Sequence, residues 1–294
     1  MSPKAKAYLA LALGVFMASW ASILVRWANT DRALVVAAGR MVLTSLILTP
    51  VALATGVPRQ LRALGWKGLL LALLSGLALA VHFAAWFFSL LMTTVASSVV
   101  LMSTHPLFVA LGSRFILRER ITRLTLLGVS LSLAGTILVG YGDFGLSQRR
   151  LLGDLLALVG GLMAAAYFLL GRRLRQRLSV LAYIWPVYST AALVLLVTCL
   201  VTRQPFLGYA PVTYWMIVLL AVGPQILGHS SLNYALEHLS ATFVTVAVLG
   251  EPLGSSLFAY LFLNETPRWT ALAGGALILG GIVLAGRGEQ RSRT

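Results

Sequence analysis

The feature that most constrains this chain is a sequence pattern that occurs twice, 146 residues apart. Each copy has a proline within an apolar stretch, a glutamate thirteen residues later, and then a run with regularly spaced glycines. The aligned pairs are Pro106 with Pro252, Glu119 with Glu265, Gly128 with Gly274, Gly135 with Gly281 and Gly142 with Gly288. Five matches in one register indicate that one structural unit occurs twice, so the fold must accommodate two related halves.

The composition places this duplicated unit in a membrane. Of the 294 residues, 59% are hydrophobic and 11% are charged, and the mean hydropathy is +0.89. A soluble domain carries about 25% charged residues, so this chain has too much apolar surface for an aqueous fold. The net charge of +15 does not indicate nucleic-acid binding, because the basic residues lie in short connections between apolar runs. The single cysteine, Cys199, excludes an intramolecular disulfide.

Ten apolar runs are long enough to cross a bilayer, which needs about 20 residues per helix. They cover residues 7–28, 32–55, 66–90, 93–116, 122–141, 150–171, 179–201, 212–236, 239–262 and 268–286. With the N-terminus inside, 16 Lys and Arg residues fall on the inner side and 6 on the outer side, with Arg40 inside a helix. This excess predicts a multi-pass protein of a bacterial cytoplasmic (inner) membrane with both termini cytoplasmic.

Five helices in each copy make the second copy enter the membrane in the opposite direction from the first. The two predicted repeats are residues 1–146 and 147–294. At an offset of 147, Gly14 matches Gly161, Trp20 matches Tyr167, Arg26 matches Arg173, and His82 matches His229. The fold class predicted is therefore an all-α integral membrane protein, with ten helices in two inverted five-helix repeats around a central cavity. Many secondary transporters are built in this way.

The proline, the glutamate and the glycine-rich helix that follows them resemble the EamA domains of the drug/metabolite transporter superfamily. The resemblance covers nearly the whole chain, and within the superfamily the chain looks most like the YddG-type exporters of aromatic and other amino acids. It implies ten helices, a central cavity and export to the outside. Direction of transport is carried by this resemblance alone.

Polar side chains form related stripes on the third and eighth runs. His82, Trp86 and Ser89 are spaced i, i+4, i+7, and the eighth run carries Gln225, His229 and Asn233. Polar groups within the membrane face the bundle interior or a water-filled cavity, because lipid offers no hydrogen-bond partner. The stripes predict a substrate cavity between the repeats. The alternative is hydrogen bonding that only holds helices together.

The fourth and ninth runs contain Pro106 and Pro252, which cannot donate to the carbonyls of Met102 and Val248. We expect both helices to be kinked there, either as hinges beside a binding site or as static bends. Met102 and His105 adjoin the first kink.

Glu251 adjoins the second kink, about twelve residues into the ninth run. A charge at such depth costs roughly 2.5–3.5 kcal/mol on insertion scales. Three roles remain open: a proton carrier, a partner for a substrate ammonium, or a structural partner of a histidine or arginine. Arg40 is expected to extend its charge outward, with pairing to Glu251 as the alternative.

Trp20, Trp86 and Tyr167 lie inside the apolar runs rather than at their ends. They predict flat apolar walls for a ring-bearing substrate, with cation–π contact available to an amine. Ordinary helix packing is the alternative. Glu119 and Glu265 are interpreted as structural, because arginines lie close to both.

The sequence lacks the nucleotide-binding and hydrolase motifs that would indicate an ATP-driven pump or an enzyme. The four histidines lack metal-ligand spacing, so no metal or other cofactor is expected. The glycines of the fifth and tenth runs allow close backbone approach, either between the two halves or in a homodimer. We predict a secondary or facilitative exporter of amino acids and related small metabolites, with efflux of cationic drugs as the alternative.

Overall fold

The structure is a computed structural model, which describes residues 1–30, 32–93, 95–139, 148–264, 266 and 269–291. Its regular structure in these ranges is entirely helical. We number the ten helices α1 to α10. They are α1 (Pro3–Ser19 and Ala21–Trp27), α2 (Ala33–Ala54), α3 (Val57–Met92), α4 (Val95–Met102 and His105–Phe115), α5 (Arg123–Val139), α6 (Gln148–Arg175), α7 (Val180–Val201), α8 (Pro211–His238), α9 (Ala241–Val248 and Glu251–Leu263) and α10 (Trp269–Arg291).

Each predicted apolar run corresponds to one of these helices, which confirms the predicted fold class. Eight of the helices are long and apolar enough to cross a membrane. The other two are α5, which is apolar but shorter, and α4, which is divided into two segments. α3 begins earlier than its run because a short segment precedes Gly65, whose φ of 73° interrupts the helix just before residue 66. The chain is thus a multi-pass membrane protein.

The helices pair in a pattern that is unchanged when the two halves are exchanged. α3 packs along α6 and α8 packs along α1; α4 contacts α6 and α9 contacts α1. The pairs α2 with α7 and α5 with α10 each join equivalent helices of the two halves. Since five crossings separate α1 from α6, the halves run in opposite directions. The proposed boundary at residue 146 lies outside the described residues, as does Glu265.

Two equivalent helices are broken at equivalent positions. In α4 the helix stops at Met102 and resumes at His105, and in α9 it stops at Val248 and resumes at Glu251. Pro106 and Pro252 therefore lie in the first turn of a new segment, where a missing N–H costs no hydrogen bond. The expectation of a kink is thus correct in place, but each proline starts a segment rather than bending a continuous one.

α5 and α10 approach each other at backbone contact. A Cβ atom at Gly128 would lie 2.6 Å from the Gly281 carbonyl oxygen, and one at Gly135 would lie 2.5 Å from that of Gly274. Ser132 Oγ also donates to the Ile278 carbonyl at 3.3 Å. These glycines therefore join the two halves within one chain, which is the first of the two uses expected for them. A homodimer through α5 and α10 stays a prediction.

Candidate functional site

A cavity of about 440 Å³ lies between the two halves, where the broken helices α4 and α9 meet α1, α3, α6 and α8. This volume is within the usual range of small-molecule sites. Its wall consists of Ala18, Ala21, Ser22, Ile23, Arg26, Arg40, Leu79, His82, Phe83, Trp86, Val100, Met102, Ser103, His105, Thr136, Val139, Ala164, Tyr167, Phe168, Pro224, His229, Leu232, Val248, Leu249, Glu251, Pro252, Ser255, Ser256 and Ala259. The wall is largely apolar and aromatic, with a few polar groups.

The polar face predicted for the third run contributes His82 and Trp86 to the wall. His82 Nδ1 lies 2.9 Å from the Gly160 carbonyl oxygen of α6. A carbonyl only accepts, so Nδ1 carries the proton and Nε2 of the neutral ring is an acceptor. Trp86 Nε1 is buried without a hydrogen-bond partner among the described residues. On this face of α3, His82 thus keeps one acceptor free, whereas the unpaired Trp86 Nε1 is buried in the protein.

Glu251 lines the cavity at the first turn of the second segment of α9. A carboxylate in a first turn is favoured by the helix dipole, which helps α9 to tolerate a charge at this depth. Among the described residues, no side chain donates a hydrogen bond to this carboxylate and none forms an ion pair with it within 4.0 Å. Of the three roles open for Glu251, that of a structural partner of a histidine or arginine therefore has no contact to support it.

His105 lines the cavity from the equivalent first turn in α4, together with Met102 before the break. Its Nδ1 lies 3.2 Å from the Met102 carbonyl oxygen, which Pro106 cannot reach with an N–H. The ring stacks on Phe168 of α6, with centroids 6.1 Å apart and an interplanar angle of 18°. His105 is therefore a cap for the break in its own helix as well as a part of the wall.

Arg40 of α2 is a wall residue that the sequence analysis placed elsewhere. Its side chain is only 5% exposed, so it does not extend outward as expected. Its Nε donates to Gln225 Oε1 at 2.8 Å, and Nη2 contacts the same oxygen. The guanidinium carbon lies 4.7 Å from the centre of the Phe83 ring. Arg40 and Glu251 lie close enough to interact electrostatically, without a direct ion pair.

A π-helical segment in α8, Ala221–His229, positions Gln225 and His229. The Ser230 N–H donates to the carbonyl of Gln225, five residues before it, and Pro224 lies inside the segment. Such wide turns are rare and often occur at functional sites. Here the segment places Gln225 against Arg40 and His229 on the cavity wall. Its counterpart in α3, around His82, is a regular α-helix.

A buried hydrogen-bond network lies beneath the cavity. Asn233 Nδ2 donates to Tyr167 Oη and to the His229 carbonyl oxygen, the latter at 2.8 Å. Below it, the Arg175 Nε donates to the Asn233 carbonyl at 3.0 Å. Tyr183 Oη lies 2.7 Å from Ser75 Oγ in the same layer.

An ion pair continues this network toward the ends of α4, α6 and α8. Arg172 Nε lies 2.7 Å from Glu119 Oε1, and its Nη1 donates to the Leu236 and Glu237 carbonyls. The structural interpretation of Glu119 is thus supported, although its partner is Arg172 rather than Arg118 or Arg120. Side chains at this end of the bundle are thus paired with one another, and under the predicted topology this end faces the cytoplasm.

Eight predicted site residues line the cavity: His82, Trp86, Met102, His105, Tyr167, His229, Glu251 and Pro252. Four others do not. Gln225 and Asn233 are fully buried. Gln225 accepts a hydrogen bond from Arg40, and Asn233 donates one to Tyr167, so both lie behind the wall residues that they contact. Pro106 is buried in its helix and does not line the cavity. Trp20, at the break in α1, stacks on Phe258 with centroids 4.2 Å apart, which turns it away from the wall.

Sequence reasoning missed Arg40, Phe83 and Phe168 as wall residues. A signal existed for Arg40, because an ionisable residue within a membrane helix indicates a functional site by default. The two phenylalanines carry no such signal, since they are ordinary members of apolar runs.

A sequence profile of the EamA-like transporter family matches residues 5–141 and again residues 151–287. A relative from Archaeoglobus fulgidus, named an uncharacterized transporter, is 29% identical over 74% of this chain and 75% of its own length. Another from Clostridium kluyveri, also named an uncharacterized transporter, is 22% identical over 82% of this chain and 79% of its own. A solved structure described as a crystal structure of a protein superposes with a TM-score of 0.82 at 18% identity and covers 99% of both chains.

Proposed function

Because the chain belongs to the EamA-like transporter family, we propose that it exports amino acids, aromatic ones included, and related small metabolites. Transport would proceed by alternating access, with one five-helix half rocking against the other across a bacterial cytoplasmic membrane. Both termini would be cytoplasmic. The YddG-type specificity implied by the sequence resemblance is part of this proposal.

The observation that carries the proposal is the chemistry of the cavity between the halves. Trp86, Phe83 and Phe168 provide flat apolar surface, and the Glu251 carboxylate and His82 Nε2 provide acceptors without partners in the described protein. A primary ammonium has three N–H donors, which suit such acceptors. An aromatic or aliphatic side chain on the same molecule suits the ring-lined wall.

Efflux of cationic drugs is the second candidate, and Glu251 with the aromatic wall favours it as well. Aromatic rings and a carboxylate attract an organic cation by cation–π and charge interactions. Arg40 on the same wall weighs against this candidate, because a second cation would approach a buried guanidinium. An intramembrane enzyme has no support in the family match.

Reconstituted protein tests the proposal directly. Proteoliposomes would be loaded with labelled phenylalanine or, as a non-aromatic comparison, labelled threonine, and efflux would be followed with and without a pH gradient. We expect saturable efflux of both amino acids, faster than from liposomes without protein. Dependence on the gradient would assign Glu251 a role in proton transfer, and independence would leave the role of ammonium partner. Saturable transport of organic cations with no amino-acid efflux would replace the proposal with the second candidate.

A further inference from the structure

We propose that Arg40 is the receptor for a substrate carboxylate, so that the cavity selects molecules carrying both a carboxylate and an ammonium over simple amines. This inference rests on the proposed function and deepens it, because it identifies the substrate group that the protein recognises. It begins from a buried guanidinium that forms no direct ion pair with any described residue.

Arg40 lies about 10 Å along α2, which begins at Ala33, so its charge is well inside the bundle. It is 5% exposed, and among the described residues no carboxylate lies within 4.0 Å of it. Buried charges in proteins are normally paired, because removing a charge from water is costly. A guanidinium that lines a cavity without a carboxylate in ion-pair contact is therefore suited to an anion that arrives with a ligand.

Two neighbours hold the guanidinium without neutralising it. Gln225 Oε1 accepts from Nε and Nη2, and the Phe83 ring lies beneath the group, with its centre 4.7 Å from the guanidinium carbon. Gln225 Nε2 is buried without an acceptor in the described protein. The amide oxygen therefore faces the arginine although the NH2 group of the same amide has no hydrogen bond. The π-helical segment of α8 places the amide there. The arginine is thus fixed before any ligand binds.

The arginine keeps free donors in this position. Of the five guanidinium N–H groups, Gln225 takes one from Nε and one from Nη2. The two on Nη1 and the second on Nη2 have no acceptor among the described residues. Adjacent N–H groups on Nη1 and Nη2 match the two oxygens of a carboxylate, which is the geometry that arginine binds best.

Glu251 completes the selection because it adds a negative group to the positive charge of Arg40 on the same wall. Arg26 also lines this cavity, but it already has an interaction within the protein. The selecting pair is therefore Arg40 and Glu251. An amino acid brings the opposite charge to each, so the occupied site has both charges compensated. An amine such as phenethylamine would compensate only Glu251, and an acid such as 3-phenylpropionate would compensate only Arg40. The pair therefore favours a zwitterion over either of its one-charge analogues.

The first test uses the wild-type protein and three ligands that share one ring. Phenylalanine, phenethylamine and 3-phenylpropionate would compete for efflux of labelled phenylalanine from proteoliposomes. Loss of a charge-assisted contact lowers affinity by about tenfold to a hundredfold. We expect both analogues to compete that much more weakly than phenylalanine. Equal competition by phenethylamine would overturn the role of Arg40 while leaving amino-acid transport, and hence the proposed function, intact.

The second test uses Arg40 variants to change the preference for phenylalanine over phenethylamine. In Arg40→Gln, phenylalanine affinity should fall about tenfold to a hundredfold, while phenethylamine affinity should stay unchanged or rise, so the ratio of the two approaches one. Arg40→Lys keeps the charge without the fork and should recover part of the preference. Arg59→Gln removes the same charge at an exposed position in α3 and should change nothing. A folded Arg40→Gln protein that keeps the wild-type ratio would refute the proposal. If that variant does not fold, the wild-type ligand series still decides.

Discussion

The two breaks that open the cavity have the same backbone plan and different chemistry. At the offset that aligns Pro106 with Pro252, His105 stands opposite Glu251, and both residues begin a new helical segment on the cavity wall. His105 turns its ring back to the Met102 carbonyl, whereas Glu251 contacts no donor among the described residues. The proline fixes the break, and the residue before it is free to differ.

This difference gives the two breaks different roles: the residue at the first break stabilises the fold, and the residue at the second break is available to a ligand. In α4 the polar side chain hydrogen-bonds to the Met102 carbonyl at the break, so the break is closed on itself. In α9 the carboxylate remains available to whatever enters the cavity. A duplicated unit can keep its geometry and still supply one side chain to the fold and one to the ligand. Four groups of substitutions test that assignment.

The largest effect is expected for Glu251→Gln. Replacing the carboxylate by an isosteric amide removes the acceptor charge, so phenylalanine efflux should fall about tenfold to a hundredfold while the protein elutes as a monodisperse species in detergent. Initial rates in proteoliposomes measure the change. Glu237→Gln, whose amide oxygen can still accept from Arg175, is the control outside the cavity. Wild-type efflux from folded Glu251→Gln would eliminate both remaining roles of Glu251.

A backbone contact behind the first break predicts the next effect. A Cβ atom at Gly161 of α6 would lie 2.8 Å from the Met102 carbonyl oxygen, which cannot move without disturbing the break. Gly161→Ala should therefore lower the free energy of unfolding by about 1–3 kcal/mol. At the second break, Gly250→Ala meets its nearest atom at 3.1 Å and should cost less. Thermal unfolding of the two variants in one detergent measures the difference, and equal losses would contradict the unequal packing.

His105 allows a substitution that separates its two contributions. Asparagine can reproduce the donor at Nδ1, so His105→Asn should keep the stability of α4, whereas His105→Ala leaves the Met102 carbonyl without a partner and should cost about 1–2 kcal/mol. Chemical unfolding followed by circular dichroism distinguishes the two. If both variants unfold like wild type, the cap has no energetic role. Transport by His105→Asn should fall less than transport by Glu251→Gln.

The smallest effects are expected at the prolines themselves. Pro106→Ala and Pro252→Ala restore an N–H in a first turn, where no intrahelical acceptor is needed, so each should change stability by less than about 1 kcal/mol. Efflux should remain within about twofold of wild type for both. A large loss of transport in one variant alone would show that its break works as a hinge and would add a functional difference to the chemical one.

The sequence predicted the fold well because its signals repeat along the chain. Ten apolar runs, a charge bias and aligned prolines and glycines each report on architecture, and the helices follow them. The cavity was harder, because a helical run of polar residues does not show how each side chain is turned. Gln225 and Asn233 share the stripe of His229, yet both point to neighbouring side chains behind or beneath the wall.

Arg40 shows the limit most clearly. From sequence, a long side chain a third of the way into a helix can reach water, and that was the expectation. The structure holds it inside through Gln225, 185 residues away along the chain and on a π-helical turn that no periodicity predicts. Contacts of this kind depend on tertiary arrangement, so the sequence can nominate the residue without giving its partner.

The glycine contact between α5 and α10 has a consequence for how the protein can move. Helices whose backbones touch along their length cannot slide past each other without forcing carbonyl groups together, so relative motion there is limited to a small rotation. If one half rocks against the other, we expect this seam to act as the pivot, with amplitude growing with distance from it. Spin labels across the seam should keep their separation, while labels across the end of the bundle near Glu119 should not. The glycines that join the two halves would then also determine how far the rest of each half moves during transport.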